Sequence, residues 1–450
     1  MAFAKVLTAA LATTALASAA TAQEADAARL GADLTYNGAE MAGNADGSIP
    51  AFDGGITAPP AGWSPGKPFA DPYEGDAILF TITGENAGQY ADKLTDGQKA
   101  MLAKYPTYKL NVYPTRRSCG LPAVAQEWNR KNAATGELIS DGNGISGAFV
   151  STPFPVPANG LEQLWNHIMR YRGTSFIREF KGAQVYPSGQ VTPIRIQDEG
   201  LFRYSDPSKG SLDALNNISV YFLQQVAEPT RMAGTVLLIH ESLDQAKQPR
   251  QVWTYNPGQR RVRRAPDIQY DNPGIGSDGL TTSDSYSVFN GAPDRYTWES
   301  RGKKENYIPY NSYKLAASPL KIEQLATPLH FNQDVLRYEL HRVWITEGKL
   351  KPDTRHIYHR RVFYQDEDSW QIVASELYDA RGELYRVQES HPINYYAIPA
   401  CFEAGTMAYT MVDQAYYVDA LINETRPIEV NVPIDEKRFD PGTLRQIGTR

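Results

Sequence analysis

The sequence predicts a mainly β protein with a few helices, of the α+β class, built around one large antiparallel sheet. From about residue 176 onward, short runs rich in β-branched and aromatic residues alternate with brief polar turns, a pattern that indicates strands. Aromatic residues form 11% of the chain, with 27 tyrosines and 7 tryptophans, and these side chains favour strands. Because the strands are closely spaced and the turns are short, we expect antiparallel pairing in a sandwich or a barrel.

The N-terminal residues 1–22 are typical of a secretory signal peptide. Lys5 precedes an uncharged run of small and apolar residues from Val6 to Ala20, and small residues at positions 20 and 22 lie before Gln23. This pattern predicts export and cleavage before Gln23, and the apolar run is too short to span a bilayer. We therefore expect a periplasmic protein. A buried N-terminal helix is the alternative, which the missing amphipathic periodicity disfavours.

The charge balance of the chain is mildly acidic, with a formal net charge of −6 at pH 7. This balance disfavours nucleic acid as a partner, and it also disfavours a strongly basic membrane-binding face. The two cysteines, Cys119 and Cys401, belong to a chain that we expect to be exported. An even number of cysteines in an oxidising compartment predicts a disulfide between them, with two separate buried thiols as the alternative.

Residues 23–90 differ in composition from the rest of the chain, being rich in Gly, Pro, Ala and Asp. Turn signals follow one another there with little periodicity between them, so we expect an extended arm packed on the domain. Disorder is the alternative, and the aromatic residues scattered through the arm favour docking over it. We expect residues 91–450 to form a single domain, because all-β units commonly reach this length. The scattered aromatic residues are Phe52, Trp63, Phe69 and Tyr73.

Two segments carry the signals of helices. Thr95 and Gln98 have the spacing of a capping box, and Pro106 ends the apolar face that follows them. A second helix begins at Asn159, with Glu162 at the reciprocal capping position. Its apolar residues form a single stripe at helical spacing, which we expect to bury against a sheet. The stripe consists of Leu161, Leu164, Trp165 and Ile168.

The predicted strands fall into two meanders. Residues 256–259 join two strands of the first meander, and Pro257 and Gly258 there predict a type II turn, because Pro fixes φ and Gly accepts a positive φ. In the second meander, neither face of residues 355–365 is fully apolar, which suits a sheet curved around a lipid-lined cavity or a partly solvated open sheet. The predicted strands are residues 218–222, 235–239, 251–255, 259–264, 341–347, 355–365, 370–379 and 383–391.

Five unusual stretches of sequence, spread over most of the chain, are similar to a bacterial family of unknown function. They are Asn44–Pro50, Gly160–His167, Trp253–Pro266, Phe289–Tyr296 and Arg337–Trp344. The family is described as outer-membrane lipoprotein-sorting-like, and it resembles, more distantly, the LolA and LolB periplasmic lipoprotein carriers. The resemblance implies an incomplete, strongly curved antiparallel β-barrel with helices on its open side, so that the single domain is a half-barrel.

The same resemblance implies a function between the two membranes, namely binding and carriage of a lipid or another hydrophobic molecule. It also implies two partners, a resistance-nodulation-division-type exporter and an outer-membrane protein. It supplies no established functional residues. An apolar molecule crosses water only inside a shielding cavity, and ligand pockets are mostly apolar. The aromatic residues that we predict to line such a cavity, with ordinary core packing as the alternative, are Trp165, Trp253, Trp344, Phe363 and Trp370. The helix from Asn159 to Arg172 is predicted to cover or gate it.

No catalytic, cofactor or metal site is predicted from the motifs. The patterns of a nucleophile elbow, a zinc-protease helix and a phosphate loop are missing where they would need to lie. His356 and His359 are three apart in a predicted strand, where they would point to opposite faces, and this disfavours a shared metal ion. Residues 366–368 are acidic, and we expect a solvated hairpin tip there rather than a cation site.

Two charged clusters have both a structural and a functional interpretation. Glu339 and His341 share a strand face, and with Asp334 they would suit acid–base chemistry. We favour a structural hydrogen-bonded pair near the neighbouring Arg337 and Arg342. A run of arginines near residue 260 predicts a solvated edge strand protected by its charge, with a docking surface for an acidic partner or a lipid headgroup as the alternative. These arginines are Arg260, Arg261, Arg263 and Arg264.

The function that we expect is therefore a non-enzymatic carrier of a hydrophobic molecule. A periplasmic hydrolase is one alternative, and it predicts acid, base or nucleophile residues that converge in a pocket. A structural adaptor of an export system is another. An integral outer-membrane barrel would show clean apolar-out alternation, whereas the strands of this chain carry charges on both faces.

Overall fold

The computed structural model describes residues 24–266, 268 and 270–449. The predicted signal peptide, residues 1–22, lies outside the described residues. Within them the chain forms a sheet of 16 strands and a separate sheet of two strands. The strands are β1 Phe80–Ile82, β2 Leu110–Val112, β3 Glu137–Ile139, β4 Gly144–Ser146, β5 Ser175–Val185, β6 Val191–Phe202, β7 Ile218–Glu228, β8 Val236–Ser242, β9 Gln251–Asn256, β10 Arg261–Arg264, β11 Tyr296–Pro309, β12 Tyr338–Leu350, β13 Arg360–Asp366, β14 Ile372–Tyr378, β15 Leu384–Tyr395, β16 Ala400–Thr410, β17 Tyr416–Ala420 and β18 Glu429–Val430.

The large sheet is antiparallel along its main path and stays open. In space the strands follow the order β11-β12-β13-β14-β15-β16-β17-β5-β6-β7-β8-β9-β10, with β1 and β2 attached at the start of β12 and β18 beside β5. The pairing of β17 with β5 joins the two meanders, and it aligns Tyr416 with Val185. Among the residues that the structure describes, the outer strands β10 and β11 do not pair with each other. The predicted fold class, an incomplete antiparallel barrel, is confirmed.

Besides the helical segment at residues 24–29, six α-helices accompany the sheet in the described part of the chain, and the two predicted ones are confirmed. Thr95 accepts a hydrogen bond from the Gln98 N–H at 3.0 Å, and the Gln98 side chain accepts one from the Thr95 N–H. Asn159 caps the third helix, which packs against β11 and β12 but ends at Met169 rather than at Arg172. None of these helices combines the length and apolar composition that a membrane span requires. The helices are α1 Asp96–Lys104, α2 Ala123–Thr135, α3 Gly160–Met169, α4 Tyr313–Ala316, α5 Ile322–Leu325 and α6 Leu444–Gly448.

Two local predictions are wrong. The strand expected over residues 355–365 begins only at Arg360, so His356 and His359 precede it. The loop between β9 and β10 is not a type II turn, because Arg260 and not Gly258 has the positive φ, 53°. The Asn256 side chain accepts hydrogen bonds from the N–H groups of residues 258 and 259. This Asx-type contact selects a four-residue loop over the tighter turn.

The acidic residues 366–368 form a buried turn between β13 and β14, which corrects the expectation of a solvated tip. Glu367 and Asp368 are each only 2% exposed. Arg117 lies 2.6 Å from Asp368, and Arg342 lies 2.6 Å from Glu367. These ion pairs compensate the charges, which is the condition under which carboxylates are tolerated in a protein interior.

The residues before β1 cover this buried turn and pack across the sheet. The Asn37 side chain donates a hydrogen bond to the Asp368 carbonyl at 2.7 Å, and the Trp370 indole donates one to the Asn37 carbonyl at 2.8 Å. Further along, Trp63 packs edge-on against Tyr396, with 5.0 Å between ring centroids. Apart from a helical segment at residues 24–29 and isolated bridges, residues 24–79 form turns and extended chain. The predicted boundaries of the arm and of the single domain stay predictions.

A disulfide joins Cys119 to Cys401, with 5.4 Å between their Cα atoms, and the predicted pairing is confirmed. Cys119 lies shortly before α2 and Cys401 lies on β16. Both residues are buried beside the apolar side chains of β12 to β14. The bond therefore connects the segment leading into α2 with the centre of the large sheet.

Candidate ligand-binding cavity

An apolar cavity of about 160 Å³ lies against one face of the large sheet. Seven strands that are consecutive in the sheet, β15-β16-β17-β5-β6-β7-β8, all contribute to its wall. A single cavity contacts so many neighbouring strands only where the sheet is concave. Side chains two apart on a strand share a face, and the lining contributed by β5 to β8 follows this rule. Its apolar part includes Phe176 and Phe180 on β5, Ile196 and Phe202 on β6, Val220 and Phe222 on β7, and Leu237 and Ile239 on β8.

Residues 270–290, called here the cover segment, close the cavity on the side opposite the sheet. The cover segment belongs to the long connection between β10 and β11, and Pro273 and Thr282 form a bridge within it. It contributes apolar side chains to the lining, among them Ile275 and Val288. Irregular connections of this length inside a compact domain commonly carry function as lids or binding loops.

Asp284 fastens the cover segment to the end of the sheet. Its carboxylate lies 2.6 Å from Arg361 and 3.1 Å from His356, and the side chains of all three residues are at most 2% exposed. Burial opposes the charge of Asp284, but the Arg361 guanidinium and the His356 contact outweigh it, so the pKa of the carboxyl is lowered. His356 therefore has a structural partner, whereas His359 is exposed and makes no such contact.

A second set of contacts fastens the other end and the middle of the cover segment. The Asn290 side chain donates to Glu241 at 3.1 Å, and Glu241 forms an ion pair of 2.7 Å with Arg250. The Gln184 side chain donates to the Gly276 carbonyl at 2.5 Å. All three partners belong to the sheet or its connections, so polar contacts surround the apolar interior of the cavity.

His167 connects helix α3 with the cover segment. Its Nδ1 accepts a hydrogen bond from the Ile372 N–H at 3.0 Å, and its Nε2 lies 3.1 Å from the carbonyl oxygens of Ser287 and Phe289. This arrangement requires the neutral ring with its proton on Nε2. Burial, with a smaller contribution from Arg170 and Arg172, lowers the pKa of His167 well below its ordinary value.

Three arginines and several carboxyl groups meet at the wall of the cavity. Arg178 lies 3.1 Å from Asp198 and 3.7 Å from Glu403, and it donates to the Tyr286 hydroxyl at 2.6 Å. Arg170 also pairs with Glu403, at 3.7 Å. Tyr286 belongs to the cover segment, so this cluster is a third attachment point for it. The third arginine, Arg172, lines the cavity itself.

Two residues of the lining carry carboxyl groups, Glu241 on β8 and Asp419 on β17. Burial raises the pKa of Asp419 to about 7, and Arg178 opposes this change only in part. Near neutral pH the group therefore exists in comparable amounts with and without its proton. A carboxyl group of this kind contributes less negative charge to the cluster than an ordinary aspartate does.

The structure places the five aromatic residues that were predicted to line a cavity elsewhere than in this lining. Trp165 is buried in α3 and donates to the Gly142 carbonyl at 2.9 Å. Trp344 and Trp370 stack on each other at 6.1 Å, Phe363 packs on aromatic neighbours at the β11 end of the sheet, and Trp253 packs on His240. Phe176 and Phe180 share a face of β5, and Ile196 and Phe202 share a face of β6, because each pair lies an even number of residues apart. These two strands were not among the strand segments predicted from the sequence.

The charged clusters considered from the sequence have structural partners. His341 lies 3.1 Å from Glu339, which also forms an ion pair with Arg337, so the expected structural pair is confirmed. Asp334 lies apart from this pair and contacts Lys109. Strand β10, with its exposed arginines, pairs with β9 alone among the described strands and is an edge strand as expected. Whether it docks a partner stays a prediction.

One group of side chains has ligand atoms close enough to hold a metal ion. Ligand atoms of His341, Asp366 and Asp368 all lie within 4.8 Å of one another. Asp368 is already held by two hydrogen bonds from Arg117, and Asp366 accepts hydrogen bonds from Tyr310 and from Ser369. An ion at this place would have to displace the positive charge of Arg117, so the present arrangement favours an internal ion pair.

Comparison with known proteins identifies the family. The model of DUF1329, a family of proteins of unknown function, matches residues 81–445. The chain belongs to this family. The resemblance carried by the five sequence stretches is thereby confirmed. An uncharacterized protein of Pseudomonas aeruginosa is 48% identical to this DUF1329 chain in an alignment of 432 residues that covers 94% of this chain and 94% of the relative.

Solved structures similar to this DUF1329 chain have low sequence identity. A domain described as an outer membrane lipoprotein-sorting protein, from Vibrio parahaemolyticus, is 14% identical with a TM-score of 0.42, covering 60% of this chain and 91% of its own. A DUF1329 protein from Desulfovibrio piger is 14% identical with a TM-score of 0.43, covering 61% and 92%. A LolA superfamily protein from Nitrosomonas europaea is 10% identical with a TM-score of 0.39, covering 63% and 98%.

Proposed function

We propose that this protein binds a lipid or another hydrophobic molecule in the covered cavity and carries it through the periplasm. The observation that carries the proposal is the apolar lining that seven neighbouring strands present beneath the cover segment. Exposure of a long apolar molecule to water is unfavourable, so such a molecule needs a shielding cavity during transit. Small-molecule sites are typically concave, mostly apolar and equipped with a few polar groups, and this cavity fits that description.

The size and the lining of the cavity suit an apolar guest. Apolar cavities of roughly 150 Å³ are known to stay dry and to admit small apolar molecules. Phe222 and Ile239 are among the side chains that would contact such a guest. A longer molecule requires displacement of the cover segment, which is attached to the sheet by side-chain contacts and contains no strand of the large sheet. The proposal therefore includes movement of the cover segment when the ligand enters and leaves.

The disulfide supports the proposed compartment. The Cys119–Cys401 bond is of a type that persists in oxidising environments such as the bacterial periplasm and is rare in the reducing cytosol. The partners that the family resemblance implies, an exporter of the resistance-nodulation-division type and an outer-membrane protein, belong to the same proposal. Co-purification of the native protein with either partner after crosslinking in cells would support this part.

A hydrolase is the second candidate function, and a specific observation favours it. Asp419 lines the cavity with a pKa raised to about 7, a value suited to general acid–base chemistry. We rank the hydrolase second because Asp419 already has an electrostatic role in the fold, as a carboxyl group that interacts with the buried Arg178. Ester hydrolysis that is lost in Asp419→Asn, with the fold retained, would favour the hydrolase over the carrier.

The experiment that tests the carrier function is native purification without detergent, solvent extraction and mass spectrometry of the bound molecules. We expect an apolar molecule in a stoichiometric amount. If the protein is empty and also fails to bind an apolar fluorescent probe, the carrier function is excluded, and a structural or adaptor role beside a transporter takes its place.

Filling the cavity provides a second test. Val220 is only partly buried and lines the cavity, so Val220→Trp places a large side chain in the space that a ligand would use. We expect binding of an apolar probe to fall about tenfold or more while the circular dichroism spectrum is retained. Val412→Trp is the matched control, because Val412 is 67% exposed away from the cavity. Equal probe binding by both variants would show that the ligand binds elsewhere.

A further inference from the structure

Arg172 differs from the other arginines of the cavity wall because no carboxylate among the described residues forms an ion pair with it. It is 8% exposed and lines the cavity. Its one hydrogen bond within the described part of the chain runs from Nη2 to the Ile168 carbonyl at 3.3 Å, and its Nε is buried without a partner. Unpaired charges are costly in a protein interior, so this position calls for an explanation.

The surroundings hold the Arg172 guanidinium in place without neutralising it. The group lies over the rings of Phe202 and Phe402, at 4.6 and 5.5 Å from their centroids. Cation–π contacts of this kind favour the charge only weakly, and they orient the planar guanidinium. Phe202 is also part of the cavity lining. The side chain is therefore an oriented cation at the apolar wall.

The carboxylates nearest to this wall are engaged by arginines other than Arg172. Glu403 already contacts both Arg170 and Arg178, at 3.7 Å each, and Asp198 is engaged by Arg178. Burial raises the pKa of Asp198 and of Asp419, which disfavours their charged forms. Arg250, the other arginine of the lining, has its own partner in Glu241.

We infer that the ligand is an amphiphile with an anionic head group, a carboxylate or a phosphate, which Arg172 binds while the apolar chain occupies the cavity. The inference rests on the proposed function and adds the chemical class of the ligand to it. Arginine presents several N–H donors in a planar fork that matches both head groups. The bound anion would pair the charge that the protein leaves unpaired, and the lining Phe and Ile side chains would contact the chain.

The test compares ligands that share one chain and differ in their head. Decanoate, decyl phosphate, decanol and decylamine are titrated into the full mature protein by calorimetry, with inorganic phosphate as the head group alone. We expect one of the two anionic amphiphiles to bind about tenfold more tightly than decanol, as one charge-assisted contact warrants. We expect decylamine to bind most weakly. Which anion binds more tightly distinguishes a carboxylate from a phosphate head.

Variants of Arg172 assign the preference to this residue. In Arg172→Gln we expect decanoate and decanol to bind equally. In Arg172→Lys, which keeps the positive charge, we expect part of the preference for decanoate over decanol to remain. Arg381→Gln is the matched control, because the Arg381 side chain is 69% exposed. Should Arg172→Gln fail to fold, the ligand series on the unaltered protein still decides the question.

Three outcomes would contradict this inference, and they differ in what they mean for the proposed function. If decanol binds the unaltered protein as tightly as both anions do, the anionic head group is excluded and the hydrophobic carrier remains. If inorganic phosphate alone matches decyl phosphate, the site takes a free anion and the amphiphile is excluded. If no amphiphile binds, the proposed function fails and the inference fails with it.

Discussion

His167 illustrates how polar groups are placed around the apolar interior at the scale of the single residue. The ring is fully buried, and it links the cover segment to helix α3 through hydrogen bonds that need the neutral form. Most buried charges near it have a partner within hydrogen-bonding distance, as Asp284 has in Arg361. Arg172 departs from this rule, and a buried polar group without a partner needs a specific explanation.

The lowered pKa of His167 predicts a pH dependence of stability. The unfolded chain takes up a proton near the ordinary pKa of 6.5, whereas the folded chain resists it. The stabilisation by the neutral ring is therefore complete above about pH 6.5 and is lost as the pH falls through the lower folded pKa. We expect the free energy of unfolding to fall below pH 6.5 by up to about 1.4 kcal/mol per pH unit.

The measurement is urea unfolding of the native chain and of His167→Gln between pH 8 and pH 5. Because glutamine keeps a donor near Nε2 but does not titrate, the difference between the two proteins isolates the contribution of the imidazole. His359→Gln is the matched control, since His359 is exposed. Parallel pH profiles of the native chain and His167→Gln would contradict the prediction.

At the scale of the element, the cover segment behaves as an attached lid rather than as part of the sheet. Its described contacts with the sheet run through side chains, both as polar contacts of Asp284, Tyr286 and Asn290 and as packing of Tyr286 on Phe222 and of Phe289 on Phe363. Segments with few backbone hydrogen bonds to the core open at lower free energy than strands do. Loss of one attachment should therefore both destabilise the fold and loosen the cavity.

Asp284→Asn tests this attachment. Removing one partner of a buried pair leaves the Arg361 charge uncompensated, so we expect the free energy of unfolding to fall by about 3 kcal/mol. The measurement is chemical unfolding together with the rate of probe release, which we expect to rise. Asp278→Asn is the matched control, because Asp278 lies in the same segment but is exposed, and asparagine keeps an acceptor for the hydrogen bond from the Tyr186 hydroxyl. Equal stability of the two variants would show that Asp284 does not fasten the cover segment.

At the scale of the whole molecule, contacts between parts that are remote in sequence unite the two meanders. Strand β17 pairs with β5, and the disulfide joins residues 282 positions apart. The concave face exists only because strands of both meanders lie side by side. The cavity is therefore a property of the complete sheet.

The long loop closed by the disulfide predicts a large contribution to stability. A crosslink between residues so far apart restricts the conformations of the unfolded chain. We therefore expect the double variant Cys119→Ser, Cys401→Ser to have a free energy of unfolding about 4 kcal/mol lower than the native chain. The measurement is urea unfolding with and without dithiothreitol. The reductant should destabilise the native chain by a similar amount and leave the double variant unchanged. An effect of the reductant on both proteins alike would rule out this explanation.

The residues themselves determined a large part of the architecture. Local signals placed the capped helices at Thr95 and Asn159 and most strands after residue 218, because caps and side-chain alternation act over a few residues. The cysteine pair followed from its even number and the expected export. Local chemistry also misled in places, since Pro257 and Gly258 suggested a turn that the Asn256 side chain overrides.

Only the tertiary structure decided which face of each strand is functional. Several strands, such as Ile372–Tyr378, are buried on both faces, so alternation alone does not distinguish the cavity wall from the core. The acidic turn at residues 366–368 is buried because Arg117 and Arg342, which are distant in sequence, pair with it. Arg172 is identified as a candidate ligand contact only once its surroundings show which carboxylates are already engaged. Sequence determines what each short segment prefers, whereas the pairing of remote segments determines which charges remain unpaired and where a cavity opens.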